Sequence, residues 1–233
     1  MQLFYVPGIS GSEIILDETE SKHAVKVLRL GKGDRILCTD GAGGFYTASI
    51  TDANPKHCRL NVIESKQQAG KRNYYIHIAI APTKNNERLE WFLEKATEIG
   101  IDEVSLLLCD NSERRKVKTD RLEKVGISAM KQSMKAYLPK LNEPVPFNEF
   151  ITGSNAGQKF IAHCRENNLP HLKNLVQIEK SVLLMIGPEG DFSVNEIENA
   201  NQHGFESISL GDSRLRTETA GIVSCHIVNL ANV

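Results

Sequence analysis

Twice near its end this chain does the same thing: a short apolar run breaks at glycine and the chain then enters a helix. Leu183-Leu184-Met185-Ile186 runs into Gly187-Pro188-Glu189-Gly190-Asp191-Phe192, and further on Leu210-Gly211-Asp212-Ser213 precedes Arg214-Leu215-Arg216-Thr217-Glu218-Thr219-Ala220. Strands that each feed a helix pair most readily in parallel, because a parallel partner needs a crossover longer than a hairpin turn. Glycine turns also bring backbone N–H and C=O groups to the surface with no side chain in the way. Two such turns side by side can hold a polar, planar ligand.

The alternation extends upstream. Tyr75–Ala81 reads as a buried strand, and Glu87–Ile99 as a helix with Leu89, Phe92, Leu93, Ala96 and Ile99 on one stripe, stopped by Gly100. Val104–Cys109 is a second strand, Thr119–Lys135 an amphipathic helix with a basic exposed face, and Phe160–Cys164, Val182–Ile186 and Ser207–Leu210 are further strands. Ser193-Val194-Asn195-Glu196 is a capping box for a helix closed by Gly204, and Thr217–Leu230 is the last helix. Residues 2–65 differ. Asp34–Thr39 and Gly44–Thr51 flank the hairpin signal Asp40-Gly41-Ala42-Gly43, and His57–Glu64 alternates like a strand. Thr19–Leu30, with Ala24, Val27 and Leu28 on one face and Gly31 as C-cap, adds one helix to what reads as a small antiparallel, partly closed barrel. The polar stretch Ser65–Arg72 makes the domain boundary, dividing the chain into 1–70 and 71–233.

The net charge of -1 conceals an uneven distribution. Residues 112–140 carry nine Lys/Arg against three acids, whereas residues 141–233 carry six against eleven. The basic stretch suits a polyanionic partner; charge alone reads equally well as a solvated helix face. Five scattered cysteines without metal-ligand spacing are expected to be reduced, mostly buried thiols, and no metal site is expected. Residues 1–20 lack the basic and apolar regions of a signal peptide, and no apolar run approaches the roughly 18 residues of a membrane span, so a soluble cytoplasmic protein is expected.

Neither a Walker loop nor a dinucleotide fingerprint is present. What the pattern does place together is the carboxyl ends of three late strands, near His163-Cys164-Arg165, Ile186–Asp191 and Leu210–Leu215, the edge at which open α/β sheets bind ligands. From pattern alone, three unrelated tight connections remain the alternative.

The Gly187-Pro188-Glu189-Gly190 turn, the Leu210-Gly211 pair and the Leu215–Ala220 run resemble the signature of the bacterial small-subunit (16S) rRNA uracil-N3 methyltransferases, the RsmE family within the SPOUT methyltransferases. Matches extend over nearly the whole chain: His23 with Val27-Leu28-Arg29, Glu94–Gly100, Asn111-Ser112-Glu113-Arg114, and Gln132-Ser133 followed by Leu138-Pro139. Two positions depart from the family pattern. Asp191 stands where glycine is usual, putting a carboxylate beside the expected pocket. Lys135 stands where arginine is usual, keeping the charge but losing the planar fork.

The resemblance implies an α/β fold in which a small PUA-like barrel precedes a SPOUT domain, with a mainly parallel, trefoil-knotted sheet and helices on both faces. Such a knot departs from the ordinary rule of unthreaded connections. It implies a homodimer that takes S-adenosylmethionine as methyl donor and acts on 16S rRNA in the assembled small subunit. Ile186, Gly187, Gly190, Leu210, Gly211 and Leu215 are then the cofactor-binding residues, acting through their main chain, with glycine leaving room for the ligand. Uridine N3 carries a proton that must be removed or offset. Arg216 is the candidate cation beside the developing charge, and Glu189 or Glu218 the candidate base. Glu218 also reads as an acid offsetting a helix dipole, and Arg216 as its ion-pair partner. Lys22, His23 and Arg29 in the barrel, and Arg114, Arg115 and Lys135 in the basic stretch, are candidate RNA phosphate contacts; His23 alone reads equally as a core or cap histidine. A ribose 2′-O methyltransferase of the same class, or a non-catalytic RNA-binding assembly factor, are the alternatives.

Overall fold

The computed structural model describes residues 2–154 and 156–233. They form two compact units, one running up to Lys71 and including Ile127–Leu138, the other comprising Arg72–Gly126 and Pro139–Val233.

The first unit is a five-stranded sheet of β1 (Leu3–Tyr5), β2 (Glu13–Ile15), β3 (Arg35–Thr39), β4 (Phe45–Asp52) and β5 (Arg59–Lys66) in the order β1-β3-β4-β5-β2. The hairpin forms where the glycines predict it, because the Asp40 carboxylate accepts from Ala42 N–H (2.7 Å) and Gly44 N–H (2.9 Å) while Gly41 and Gly43 take positive φ. Tyr46, Ala48 and Ile50 of β4 alternate inward and join Phe4, Ile14, Ile36, Cys38 and Leu60 in a core. The sheet is mixed rather than purely antiparallel, since β1 pairs with β3 in parallel.

The expected Thr19–Leu30 helix is also different in detail. It divides into α1 (Glu18–Lys22), capped by Asp17, and a π-helical turn over His23–Val27. Leu28 N–H donates to His23 C=O and Leu30 N–H to Ala24 C=O, a widened spiral that turns Val27 outward, 66% exposed. The chain reverses at Arg29 (φ 58°), not at Gly31, whose φ is not positive. Lys131, from the segment 127–138, pairs with Glu20 of α1.

The second unit is built from β6 (Ile76–Ile80), α2 (Asn86–Ile99), β7 (Glu103–Leu108), α3 (Thr119–Gln132, its last turns belonging to the first unit), β8 (Lys140–Pro146), α4 (Phe147–Gly153), β9 (Gln158–Ala162), β10 (Val182–Ile186), α5 (Val194–Gln202), β11 (Glu206–Ile208) and α6 (Thr217–Ala231). The six strands are ordered β11-β9-β10-β6-β7-β8, and every pair is parallel. Side chains alternate through the sheet. Ile76, Ile78, Ile80, Leu184 and Ile186 face Leu89 and Phe92 of α2 and Cys225 and Val228 of α6, whereas Ala79, Leu183 and Met185 face Phe147 and Ile151 of α4 and Ile197 of α5. Both faces are therefore covered, as a parallel sheet requires.

β2, β8 and α4 were absent from the sequence reading. Pro144 and Pro146 argue against a strand, and they are accommodated because β8 lies at the sheet edge, where a missing N–H faces no neighbour. Helix α3 ends at Gln132 rather than Lys135, because Met134 takes φ 55°. Cys38, Cys58, Cys109 and Cys225 are buried free thiols, while Cys164 is exposed. Among the described residues no helix is long and apolar enough to cross a membrane.

Candidate functional site

The strand order makes β11, β9 and β10 consecutive, so the turns that leave their carboxyl ends lie side by side. These turns enclose a cavity of about 290 Å³. His163 and Cys164 line it after β9, Ile186, Gly187, Pro188, Glu189 and Asp191 after β10, and Ser209, Leu210, Gly211 and Leu215 after β11; Arg214, Arg216, Thr217 and Ala220 complete it. Five of the six candidate cofactor residues thus meet at one cavity, as do Glu189 and Arg216. Gly190 stands behind it, where a Cβ would come within 3.2 Å of Asn111 Cβ.

Glycine serves a different purpose at each turn. At Gly187 a side chain would strike the Phe192 ring at 3.1 Å, so the requirement there is packing within the protein rather than room for a ligand. At Gly211 a Cβ would meet nothing within 4 Å; there the constraint is φ, +120°, which side chains rarely adopt.

The turn after β10 is held through its carbonyls. Ile186 C=O accepts from Ala81 N–H (2.9 Å), Gly187 C=O from the buried Thr217 hydroxyl (3.0 Å), and Pro188 C=O from Asp191 N–H (2.9 Å). Gly190 C=O accepts from Asn111 Nδ2 (3.3 Å) and Arg165 Nη2 (3.2 Å), Asp191 C=O from Asn111 Nδ2 (2.9 Å), and Phe192 C=O from Arg165 Nε (3.2 Å). Among the described residues, the N–H groups of Gly187, Glu189 and Gly190 have no recorded acceptor. Behind this turn the Ser193–Glu196 capping box forms as expected.

The acids of the site are committed to different degrees. Asp191, at φ 63°, accepts from Cys164 N–H through Oδ2 (2.9 Å) and from its own neighbour Phe192 N–H through Oδ1 (2.8 Å). An aspartate is accommodated at this positive φ because Asp tolerates the left-handed region and finds local donors there. Glu218 is buried and faces Arg88 (Nε–Oε1 3.8 Å), so the pairing with Arg216 that the sequence left open is not the one made. Glu189 is exposed and accepts from Lys84 N–H through Oε1 (3.0 Å). Arg216 is exposed at the rim, and no ion-pair partner for it is recorded among the described residues. His163 is 6% exposed; burial lowers its pKa, partly countered by Asp191, so the imidazole is held neutral.

The candidate RNA contacts fall in separate places. Lys22 pairs with Glu18 one turn away (2.7 Å), His23 is half-buried and edge-on to Phe4, and Arg29 is exposed; these and Lys135 belong to the first unit. In the second unit, Arg114 forks onto Lys84 C=O (2.7 and 3.2 Å) and Arg115 donates to Cys109 C=O (3.3 Å), so both guanidiniums also organise the backbone. Arg165 and Thr217 were not assigned a role from sequence, nor was Asn111 beyond its place in a matched motif. Their partners lie 25 to 80 residues away along the chain, and no local pattern announces such bonds.

A parallel sheet covered on both faces, with a cavity lined by three turns at its carboxyl edge, and a separate five-stranded mixed sheet make this a two-part α/β protein. Its sequence narrows this. The chain belongs to the RNA methyltransferase family whose methyltransferase-domain model matches residues 53–229 and whose PUA-domain model matches residues 16–63. Among solved structures it is similar to a probable rRNA-methyltransferase from Porphyromonas gingivalis (42% identity, TM-score 0.94, covering 100% of this chain and 98% of that one). It is also similar to a Legionella pneumophila protein solved in complex with the bound cofactor SAM (27% identity, TM-score 0.88, covering 99% and 97%). A Mesomycoplasma hyopneumoniae relative named ribosomal RNA small subunit methyltransferase E is 28% identical over 95% of this chain and 96% of its own.

Proposed function

We propose that this protein transfers the methyl group of S-adenosylmethionine to N3 of one uridine in 16S rRNA of the small ribosomal subunit. The observation that carries the reading is the cavity itself: three turns from adjacent strand ends meet there, and the exposed cation Arg216 is part of its lining. A wall built partly of apolar Ile186, Leu210 and Leu215, with backbone N–H groups of Gly187 and Glu189 that have no backbone acceptor among the described residues, suits an adenosine, which needs both a flat apolar surface and a few directed polar contacts. When bound, the cofactor supplies an electrophilic methyl group on sulfur, and the protein's task is alignment, which contributes up to about 7–11 kcal/mol when the geometry is well organised.

Ile186, Gly187, Leu210, Gly211 and Leu215 hold the donor in this reading, with Gly190 shaping the turn from behind. Arg216 faces the uracil and stabilises the negative charge that grows on it as N3 loses its proton. Glu189 is the base. Asp191 has both oxygens engaged by backbone N–H groups and Glu218 is turned toward Arg88, whereas Glu189 keeps one carboxylate oxygen without a hydrogen-bond partner among the described residues. Residues 1–70 serve as the PUA-like RNA-binding domain and 71–233 as the methyltransferase domain. Lys22, His23, Arg29, Arg114, Arg115 and Lys135 contact phosphates, so RNA affinity falls steeply as salt rises. Assembly as a homodimer is supported by apolar surface on α2 and α6, where Trp91 is 46% and Leu230 63% exposed. The ribosomal substrate places the protein in the cytoplasm.

The test is mass mapping of 16S rRNA from a strain lacking this chain, followed by methylation of those small subunits and of free rRNA with purified protein. One missing base methyl at uridine N3, restored in vitro on subunits, is the expected result. A missing ribose methyl would assign a 2′-O enzyme, and no missing methyl would assign a binding factor.

A further inference from the structure

The chain end of β9 and the turn after β10 are laced to each other in both directions. From one side, Arg165 sends Nη2 to Gly190 C=O (3.2 Å) and Nε to Phe192 C=O (3.2 Å). From the other, Asp191 Oδ2 receives Cys164 N–H (2.9 Å). Asn111, after β7, adds a third strap, donating to Gly190 C=O and Asp191 C=O (3.3 and 2.9 Å). Two of the three cavity walls are His163-Cys164 and Ile186–Asp191, so these bonds fix the position of one wall against another. The side chains of Arg165 and Asn111 are not among the cavity lining.

We infer that Arg165 and Asp191 are positioning residues that preorganise the cofactor cavity, acting through the main chain of the turn after β10 rather than by touching the reacting atoms. The inference rests on the reading of this cavity as the S-adenosylmethionine site. The guanidinium fork occupies the carbonyls of residues 190 and 192, which orients the intervening peptide units and holds the turn whose Glu189, with no backbone acceptor for its N–H among the described residues, lines the cavity. Asp191 does the converse, holding the wall after β9 by its N–H. It can do so because a residue with a short acceptor side chain sits at φ 63° there. A loosened turn would still form, but it would have to be ordered by the ligand, and that cost would appear as weaker binding.

Glycine at 191 relieves the positive φ but removes the tether; asparagine tolerates the same φ and keeps an acceptor. The experiment compares the full chain with Arg165→Ala, Arg165→Lys, Asp191→Gly and Asp191→Asn. S-Adenosylmethionine affinity is read by calorimetry, kcat and KM are read on unmethylated small subunits, and folding is read by thermal melting. Arg165→Ala and Asp191→Gly are expected to weaken cofactor binding roughly tenfold, the effect of losing one charged hydrogen bond. KM for the cofactor should rise in parallel, with kcat at saturation reduced far less. Asp191→Asn should bind close to wild type, and Arg165→Lys should fall between. Wild-type affinity in folded Arg165→Ala and Asp191→Gly overturns the inference, as does an Asp191→Asn variant that loses as much as Asp191→Gly. If Arg165→Ala fails to fold, the Asp191 pair decides. Failure of the wild-type protein to bind S-adenosylmethionine overturns the reading of the cavity, a separate result from either.

Discussion

Replacing Thr217 by valine removes one hydroxyl and keeps the shape. Thr217 opens α6, is 6% exposed, and its Oγ1 is the donor recorded for the buried Gly187 carbonyl at 3.0 Å. Valine is β-branched like threonine and fills the same space, so the change isolates the hydrogen bond. What it leaves is a buried carbonyl without that donor, which costs about 1–3 kcal/mol. For a chain of this length 1 kcal/mol moves the melting temperature by roughly 2–4 °C, so Thr217→Val should melt about 2–12 °C lower. Thr217→Ser is the control: it keeps the donor and loses a methyl group, a change of about 1 kcal/mol. Because Gly187 is both the anchor of α6 and part of the cavity wall, cofactor affinity should fall in Thr217→Val and hold in Thr217→Ser. Calorimetric melting and titration with S-adenosylmethionine measure the two effects. Equal melting temperatures and equal affinities for the two variants would refute the reasoning, since the hydroxyl would then contribute nothing that a methyl group does not.

Gly221→Ala should lower the melting temperature despite the roughly 1 kcal/mol that alanine gains in a helix, because its Cβ would lie 2.6 Å from the fully buried Phe92 ring and 3.1 Å from Ile80; overpacking costs about 1–3 kcal/mol, and a stabilised variant would show that α6 can shift. Burial works to raise the Glu103 pKa, but hydrogen bonds from Asn142, Lys140 and Tyr75 outweigh it and hold it at about 2, below the ordinary 4.5. Its stabilisation is therefore complete above pH 4.5 and lost as the pH falls through about 2, so Glu103→Gln should be less stable than wild type at neutral pH, with the gap closing in acid; a gap constant in denaturation curves across that window contradicts this. Arg216→Ala should leave cofactor affinity within about twofold and lower turnover about 100-fold or more, the effect of removing a charge-stabilising donor; unchanged turnover removes Arg216 from the mechanism.

Much of this protein was legible from local pattern. The strand-turn-helix alternation, the Asp40 hairpin, the Ser193 capping box, the stop at Gly100 and the strand Val182–Ile186 each depend on residues within a few positions of one another, and each appears in the structure. The Gly187 and Gly211 turns were legible for the same reason, and both line the cavity. Where local signals conflicted with context, context prevailed: Pro144 and Pro146 hid an edge strand, and the His23–Val27 turn widened into a π-helix that carried Val27 out of the core.

What the tertiary structure alone decided is which turns become neighbours and which charged groups are left free. The order β11-β9-β10 cannot be read from spacing, yet it is what closes three separate turns into one cavity. Likewise Arg165 looks in sequence like any surface arginine, Glu189 and Glu218 both stand as candidate bases, and Asp191 is only a carboxylate beside the expected pocket. Hydrogen bonds to groups 25 or more residues away make Arg165 a strap and Asp191 a tether, and a distant Arg88 turns Glu218 aside. A side chain's chemistry is set by its residue type, but its role is set by whichever donors and acceptors folding brings within about 3 Å of it, and those partners are chosen by packing across the whole sheet.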